Sequence, residues 1–578
     1  MSALELQLRS SDEETRRAAV AALSSGGGEE ALRLLVEALG DESWRVRKEA
    51  ALQAAGWGDP GRAAEVLVES LAERDNVGRR NAVVEVLSRL GQVALAPLLA
   101  SLAQAPEHRK LIVDTLGMLA DHRATPALIR SLDDEDANVR AASAESLGRV
   151  GGPDAEAALA AHLEKSDLLF ALACLEALNA LGARLATARL IPLLDTPVLK
   201  PAALIALGHS HDPAAAEPII RFLADRSRAV REAATVALDR LHESLLPDTR
   251  ESVSKAVARH LHEDAEALLV QALLEGLPPT RRAAATVLGL TGRPAAVRPL
   301  VLALGDPAVE EAAGAALLRL GASAAGPIVQ LASELDPMLR ASVFRLIPGL
   351  GADPRLQSML VASLGEEDAE VSAEAARALA EIGGAESVPA LFAALSWESS
   401  AVDNALCRMA SRLPDAVRDE VLARDFAGRD APRLCRILGF CRKGEDAPFL
   451  LGLLAGGTPP LRAAAAESLA QLAGIHAGDV EGRAEAALAA ALAAPDPAVE
   501  VRAACARALG AFDSARAIAS LAHAAADADP SVRAVAVKSL ASRKTPAALD
   551  ALRARESVEG DPLVHAVIAA ALGGAASR

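Results

Sequence analysis

The chain has 578 residues, with 60 Lys and Arg against 77 Asp and Glu, a formal charge of −17. That balance opposes general nucleic-acid or anionic-membrane binding, where a basic face supplies most of the affinity. Hydrophobic residues make up 51% but aromatics only 2%, with no Tyr. This excludes a core filled by large rings and leaves Leu, Val, Ile and above all Ala, the best helix former and one that permits close helix approach. The composition predicts an all-α chain of short, tightly packed helices.

In chain order, the N-terminal residues MSALELQLRSSDEETRR lack the apolar run of a secretory signal and become charged early. An Asp-bearing turn, then Val-Arg, Ala-x-x-x-Leu and Gly, thereafter returns about every 31 residues. It is clearest over 41–56, 134–150 and 496–510, and again from Asp529. In the unit at 125–150, Pro126 stands in the first turn of a helix, where a missing N–H costs nothing. A polar turn rich in N-cap residues follows, then a helix whose Val139, Ala142, Leu147 and Val150 share one stripe. Gly151-Gly152-Pro153 stops it. Comparable units are predicted over 31–56, 63–91, 95–119, 155–181, 186–208 and 215–241. They continue over 297–321, 325–351, 356–383 and 388–413, then over 447–472, 484–510, 515–542 and 547–573. With partial ends this makes roughly 17 or 18 helix pairs, which bury their apolar faces by stacking into a single α-solenoid over 1–578.

Two regions break the rhythm. Residues 227–276 run roughly 20 residues longer than a normal unit, which predicts a lengthened helix or an extra one. Over 403–450 the consensus fades, and Phe426, Phe440 and Phe449 gather with Cys407, Cys435 and Cys441. The five cysteines are scattered and odd in number, which favours a reducing, cytoplasmic location over a disulfide framework. Ala-rich stretches such as 484–494 are too short and weakly apolar to span a bilayer.

The turn Asp, Val-Arg, Ala-x-x-x-Leu and Gly together resemble HEAT repeats, and most closely the short bacterial type named for phycobilisome lyases. The resemblance covers nearly the whole chain. It implies first helices on a convex side, second helices on a concave side, and an Asp/Arg ladder between repeats. The ladder it implies joins Asp41/Arg47, Asp134/Arg140, Asp496/Arg502 and Asp529/Arg533, with Arg231 as a further member. Where the Arg position becomes Lys200, Ser372 or His565, the ladder is expected to break.

Catalytic readings find little support. The related deoxyhypusine hydroxylases use four His-Glu pairs; here only His242-Glu243 and His262-Glu263 occur, in one irregular unit. His209-x-His211, His260-x-His262 and Cys435-x5-Cys441 fit no complete metal set. There is no phosphate loop, Gly-x-Ser-x-Gly or His-Glu-x-x-His. The expected function is a non-enzymatic scaffold, without metal or cofactor, that takes a protein or peptide on its concave face. Mixed charge there, such as Lys48, Glu49, Glu145, Arg149, Glu232, Asp239 and Arg240, suits selective recognition. Alternatives are a lyase- or chaperone-like handler of a prosthetic group and a nucleic-acid-binding solenoid. Candidate partner-binding residues are Trp44, Trp57, Arg259, His260, His262, Phe426, Phe440 and Phe449. Neither membrane insertion nor a particular oligomeric state follows from the sequence.

Overall fold

The computed structural model describes residues 3–576, apart from 24–27, 73–75, 105–107, 164–166, 396–399, 477–478, 495–497, 544 and the side chains of 573–576. Among the described residues there are 37 α-helices and no strand, falling into seventeen helix pairs and one triplet. The chain is an all-α solenoid.

The unit at 125–150 shows how sequence makes each pair. Helix Thr125–Arg130 opens with Pro126 and runs into a 3₁₀ turn, Ser131–Asp133. Asp136 then caps helix Ala137–Val150, accepting from the Asn138 N–H at 2.8 Å. The same device starts other second helices through Ser43, Asn76, Asp167, Asp336, Asp368 and Asp529. Helix Ala137–Val150 packs on its own first helix and on the second helices before and after it, Arg109–Leu119 and Leu168–Leu181. Contact on three sides explains why Val139, Ala142, Ser143, Ala144, Ser146 and Leu147 are all buried.

Second helices approach until backbone meets backbone. A Cβ placed on Gly208 would lie 2.8 Å from both Cα and O of Ala237, and one on Gly439 would lie 2.7 Å from Ser468 Cα. Serines tie the same seams: Ser146 Oγ donates to Val113 O at 2.9 Å, and Ser468 Oγ to Cys435 O at 2.8 Å. The abundance of Ala, Gly and Ser follows from this geometry, since larger side chains would push the helices apart.

The chain divides into two compact units, Met1–Ala296 and Val297–Arg578. The first ends in the triplet. Helix Arg228–Ser244 packs directly on Pro278–Leu290, which continues the row of second helices. Pro247–His260 packs beside the preceding first helix, Ala216–Ile220, and Glu263–Glu275 lies along Pro278–Leu290. The long segment is therefore one additional helix inserted without interrupting the second-helix row. The second unit keeps regular pairs throughout. Over 403–450 these are Ser400–Arg412, Pro414–Leu422, Ala431–Phe440 and Ala447–Gly456, so the helical rhythm persists where the consensus fades.

Two continuous stretches, 77–104 and 310–334, are apolar enough to cross a membrane. Each breaks at a left-handed glycine, Gly91 (φ 60°) and Gly321 (φ 53°), where one repeat's second helix ends and the next repeat begins. The longest single helix among the described residues is Arg228–Ser244, at 17 residues.

Candidate binding face on the second helices

The ladder arginines hold their own turn, and Arg140 and Arg533 also reach the next repeat. Arg140 Nη1 donates to the carbonyls of Asp134 and Glu135 in its own turn at 3.0 and 3.2 Å, while Nη2 reaches Asp167 of the next repeat at 3.1 Å. Arg47 donates to Asp41 O and Glu42 O, and Arg231 to Asp225 O and Arg226 O. Arg533 holds the carbonyls of Asp527 and Ala528 and pairs with Glu559 at 3.0 Å. The carboxylate of each turn is taken by the preceding repeat: Asp41 by Arg16 at 2.9 Å, Asp134 by Arg109 at 3.1 Å, Asp527 by Arg502 at 2.9 Å. The pairs run between repeats in the order Arg, then next Asp.

Two sequence expectations need revision, and a third holds. Asp529 is an N-cap, accepting from Ser531 N at 2.8 Å; the ladder carboxylate is Asp527, six residues before Arg533. Lys200 does not break the ladder, because its Nζ still lies 3.6 Å from Asp225. An ammonium on a four-carbon stem keeps the ion pair but lacks the fork that grips two carbonyls. Ser372 does break it: its Oγ turns back to Leu364 O at 2.8 Å. Asp496 lies outside the described residues.

Because these side chains are absorbed in the frame, the free chemistry lies elsewhere on the second helices. Five residues beyond the ladder position, most second helices direct a charged side chain outward. In the first unit this column reads Glu85, Asp114, Glu145 and Glu176. In the second it reads Arg345, Arg377, Arg408, Arg436, Glu467, Arg507 and Lys538. In the other repeats the position is uncharged and holds Ala21, Leu52, Ile205, Val236, Thr286, Ala315 and Ala570. Where the position is charged, the sign is thus sorted, acidic in one unit and predominantly basic in the other. The signal is present in sequence at the residue five after the ladder position, whether or not that position is an arginine, and emerges only when the second helices are aligned by repeat.

A groove accompanies each column. In the first unit it has an Ala141, Ala142, Gly148, Ala173 and Ala177 floor, with Glu145 and Glu176 on its walls. Arg149 pairs with Glu145, and Lys110 with Asp114 at 2.8 Å. In the second unit Phe440, Ala470, Ser468 and Ala508 lie between Arg436, Glu467, Gln471 and Arg507. Arg507 pairs with Glu467 at 2.9 Å, and Arg408 with Glu381. Arg436 and Lys538 have no ion-pair partner among the described residues.

The structure distributes the other candidates. Trp44 is 61% exposed at the start of its helix, with Arg45 and Lys48 each 5.9 Å from the ring. Trp57 is half-buried past the end of that helix. Arg259 and His260 are exposed at the end of the inserted helix, and His262 is exposed at the start of the next. The three phenylalanines do not form one cluster. Phe426, on the turn after Pro414–Leu422, meets Phe449 of the next first helix edge-on at 5.0 Å, whereas Phe440 lies in the second-helix groove. His242 is buried while His262 is exposed, so the two His-Glu dipeptides do not converge. His209 Nε2 lies 2.9 Å from Arg240 Nη1, and burial followed by the Arg240 charge lowers its pKa. No group of three or more metal-ligating side chains assembles among the described residues. Burial pushes the thiols of Cys174, Cys435 and Cys441 up to about 12 and Cys407 to about 11, which leaves them unreactive near neutrality.

A family model for HEAT repeats matches residues 1–88, 93–179, 324–412 and 484–573, more than half of the chain. The protein belongs to the HEAT-repeat family. No curated protein matches it by sequence. Among solved structures it is similar to importin β in an ammonium sulfate condition (12% identity, 99% of each chain covered, TM-score 0.39). It is likewise similar to Kap95p in a study of RanGDP binding (13%, 99% of this chain and 93% of that, TM-score 0.40). A third is Kap121p bound to the SUMO protease Ulp1p (13%, 99% and 77%, TM-score 0.37). At that identity and score no function passes from these proteins to this HEAT-repeat chain.

Proposed function

We propose that this HEAT-repeat protein is a non-enzymatic scaffold that holds a protein or peptide partner along its second-helix face. The observation that carries this reading is the division of labour among its charges. Ladder residues are consumed by stacking, while an outward position of the repeat is in most repeats charged, with its sign sorted by unit over a small-residue floor, and its ion pairs are made on the solvent side. Charges arranged this way select a partner and its orientation. We also propose a cytoplasmic location, in keeping with five cysteines that form no disulfide. The spacing of about 31 residues supports the short phycobilisome-lyase type of repeat.

A photo-crosslinking residue at Ala173, in the first unit's groove, tests the reading against the same residue at a half-buried first-helix position such as Glu156. In a lysate of the source organism, discrete protein adducts are expected from Ala173 alone. Adducts only from Glu156, or a pigment or metal carried by the purified protein in its absorption spectrum and elemental analysis, would overturn it.

A further inference from the structure

We propose that the second unit's groove binds an extended acidic peptide carrying an apolar side chain. This rests on the scaffold reading and names the class of partner.

The charge pattern comes first. Within a protein of net charge −17, Arg408, Arg436, Arg507 and Lys538 face outward at one repeat position, and the one interruption is Glu467. Arg408 and Arg507 hold ion pairs with Glu381 and Glu467 respectively, and both arginines remain more than half exposed. Arg436 stands at the mouth of the groove without one, beside half-buried Phe440. The groove therefore offers a guanidinium and an aromatic ring side by side, over Ala470 and Ala508. An acidic residue next to a Leu or Phe satisfies both at once.

Spacing selects a peptide over a nucleic acid. Packed helices lie about 8–10 Å apart, so successive column residues recur at about that interval. A polyproline-II peptide rises about 3.1 Å per residue with three residues per turn, returning the same face about every 9.3 Å. Acidic residues at every third position would meet Arg408, Arg436, Arg507 and Lys538 in turn, with a neutral or basic residue opposite Glu467. Gln471, on the wall, supplies both a donor and an acceptor for the peptide backbone. A nucleic-acid backbone has a phosphate at every nucleotide and cannot omit the one that would face Glu467.

Fluorescence anisotropy on the full chain tests this. The probe is a labelled peptide of about 15 residues, with Glu at every third position except the central one, one Phe, and Pro and Ala elsewhere; about 15 residues at 3.1 Å cover the column. Parallel probes replace Glu by Gln or Lys, and a fourth is a single-stranded oligonucleotide of equal length. Binding of the Glu probe is expected, weakening with salt. Arg436→Glu and Arg507→Glu are each expected to weaken it about tenfold, and Phe440→Ala to weaken it with the salt dependence retained. Arg436→Lys should keep most of the affinity. Lys538→Glu gives a third charge reversal on an exposed side chain, expected to weaken binding likewise, and circular dichroism melts confirm that each variant is folded. Equal binding to wild type and the reversals, preference for the Gln probe, or tighter binding of the oligonucleotide would each overturn the proposal. Binding of the Lys probe alone, lost in Glu145→Lys, would overturn it while leaving the scaffold reading intact. Binding of no probe overturns it too, and the Ala173 crosslinks then judge the scaffold reading separately.

Discussion

The two units build the same second-helix row and finish it in opposite charges. In Met1–Ala296 the outward column position, where charged, carries Glu85, Asp114, Glu145 and Glu176. In Val297–Arg578 it carries arginines and a lysine, interrupted by Glu467. Beneath that difference the frames agree: Arg140 reaches Asp167 as Arg502 reaches Asp527, and Gly208 meets Ala237 as Gly439 meets Ser468. Positions that stacking requires cannot record a partner, because changing them costs the fold. The side chain one turn further along the same helix is free to do so. Stability and recognition are thus written at separate places of a single repeat, and experiments can address them one at a time.

The seams should be the most sensitive, and equally so in both units. Gly208→Val places a branched side chain against Ala237 Cα and O, neither of which can move without shifting a helix. Although leaving Gly normally favours a helix by up to about 1 kcal/mol, overpacking here is expected to win by about 2–3 kcal/mol. Gly439→Val should cost a similar amount against Ser468. Urea unfolding followed by hydrogen exchange would report the loss in the helices flanking each site. A Gly208→Val protein as stable as wild type would show that the seam is looser than its geometry, and the shared frame would lose its basis.

Ladder carboxylates come next. Asp527 accepts from Arg502 and from the Asp529 N–H at 2.8 Å, so Asp527→Ala removes the inter-repeat ion pair and undoes the turn. About 1–3 kcal/mol is expected, confined to neighbouring repeats because each touches only the next. Exchange protection in helix Pro530–Ala541 should fall while that in Ala137–Val150 is unchanged; a uniform loss along the chain would contradict local coupling.

Acid should undo the same joint without mutation. Burial opposes ionisation of Glu559, but the Asp561 N–H and the Arg533 and Arg555 guanidiniums outweigh it and hold its pKa at about 2. Asp527 is lowered in the same way, burial being outweighed by Arg502 and the Asp529 N–H. A depressed carboxylate stabilises the fold fully above its ordinary pKa, and that contribution disappears as pH falls toward the folded value. For Glu559 the window runs from 4.5 down to about 2. The C-terminal repeats should lose stability there, and Glu559→Gln should flatten that part of the pH profile measured by exchange in Pro530–Ala541.

The repeat was legible because its determinants are local: Asp caps, a Val-Arg pair, a Leu and a stopping Gly each act within a few residues. The ladder's direction was not, since whether Arg140 serves Asp134 or Asp167 depends on stacking, and both spacings are compatible with a helix. Lys200 was misjudged by side-chain type alone, when reach decided the matter. The aromatic candidates were chosen for scarcity, and of Phe426, Phe440 and Phe449 only Phe440 faces the groove. The inserted helix was anticipated by length, but its place beside Ala216–Ile220 required the contacts.

Reversing the outward column should have the smallest effect on stability. Glu145 is exposed and holds one ion pair, with Arg149 four residues on in the same helix. Such pairs contribute about 0.3–0.5 kcal/mol. Glu145→Lys removes that pair and sets two cations beside each other, so a loss of at most about 1 kcal/mol is expected. Arg436 has no pair to lose among the described residues, and Arg436→Glu should fall within about 0.5 kcal/mol of wild type. The two reversals lie in different units, so their small costs should add. Matching melts for wild type, both single variants and the double variant would establish that the column is independent of the frame. A cooperative loss in the double variant would mean that the charges also stabilise the solenoid, and the separation between stacking and recognition would fail at its most exposed position.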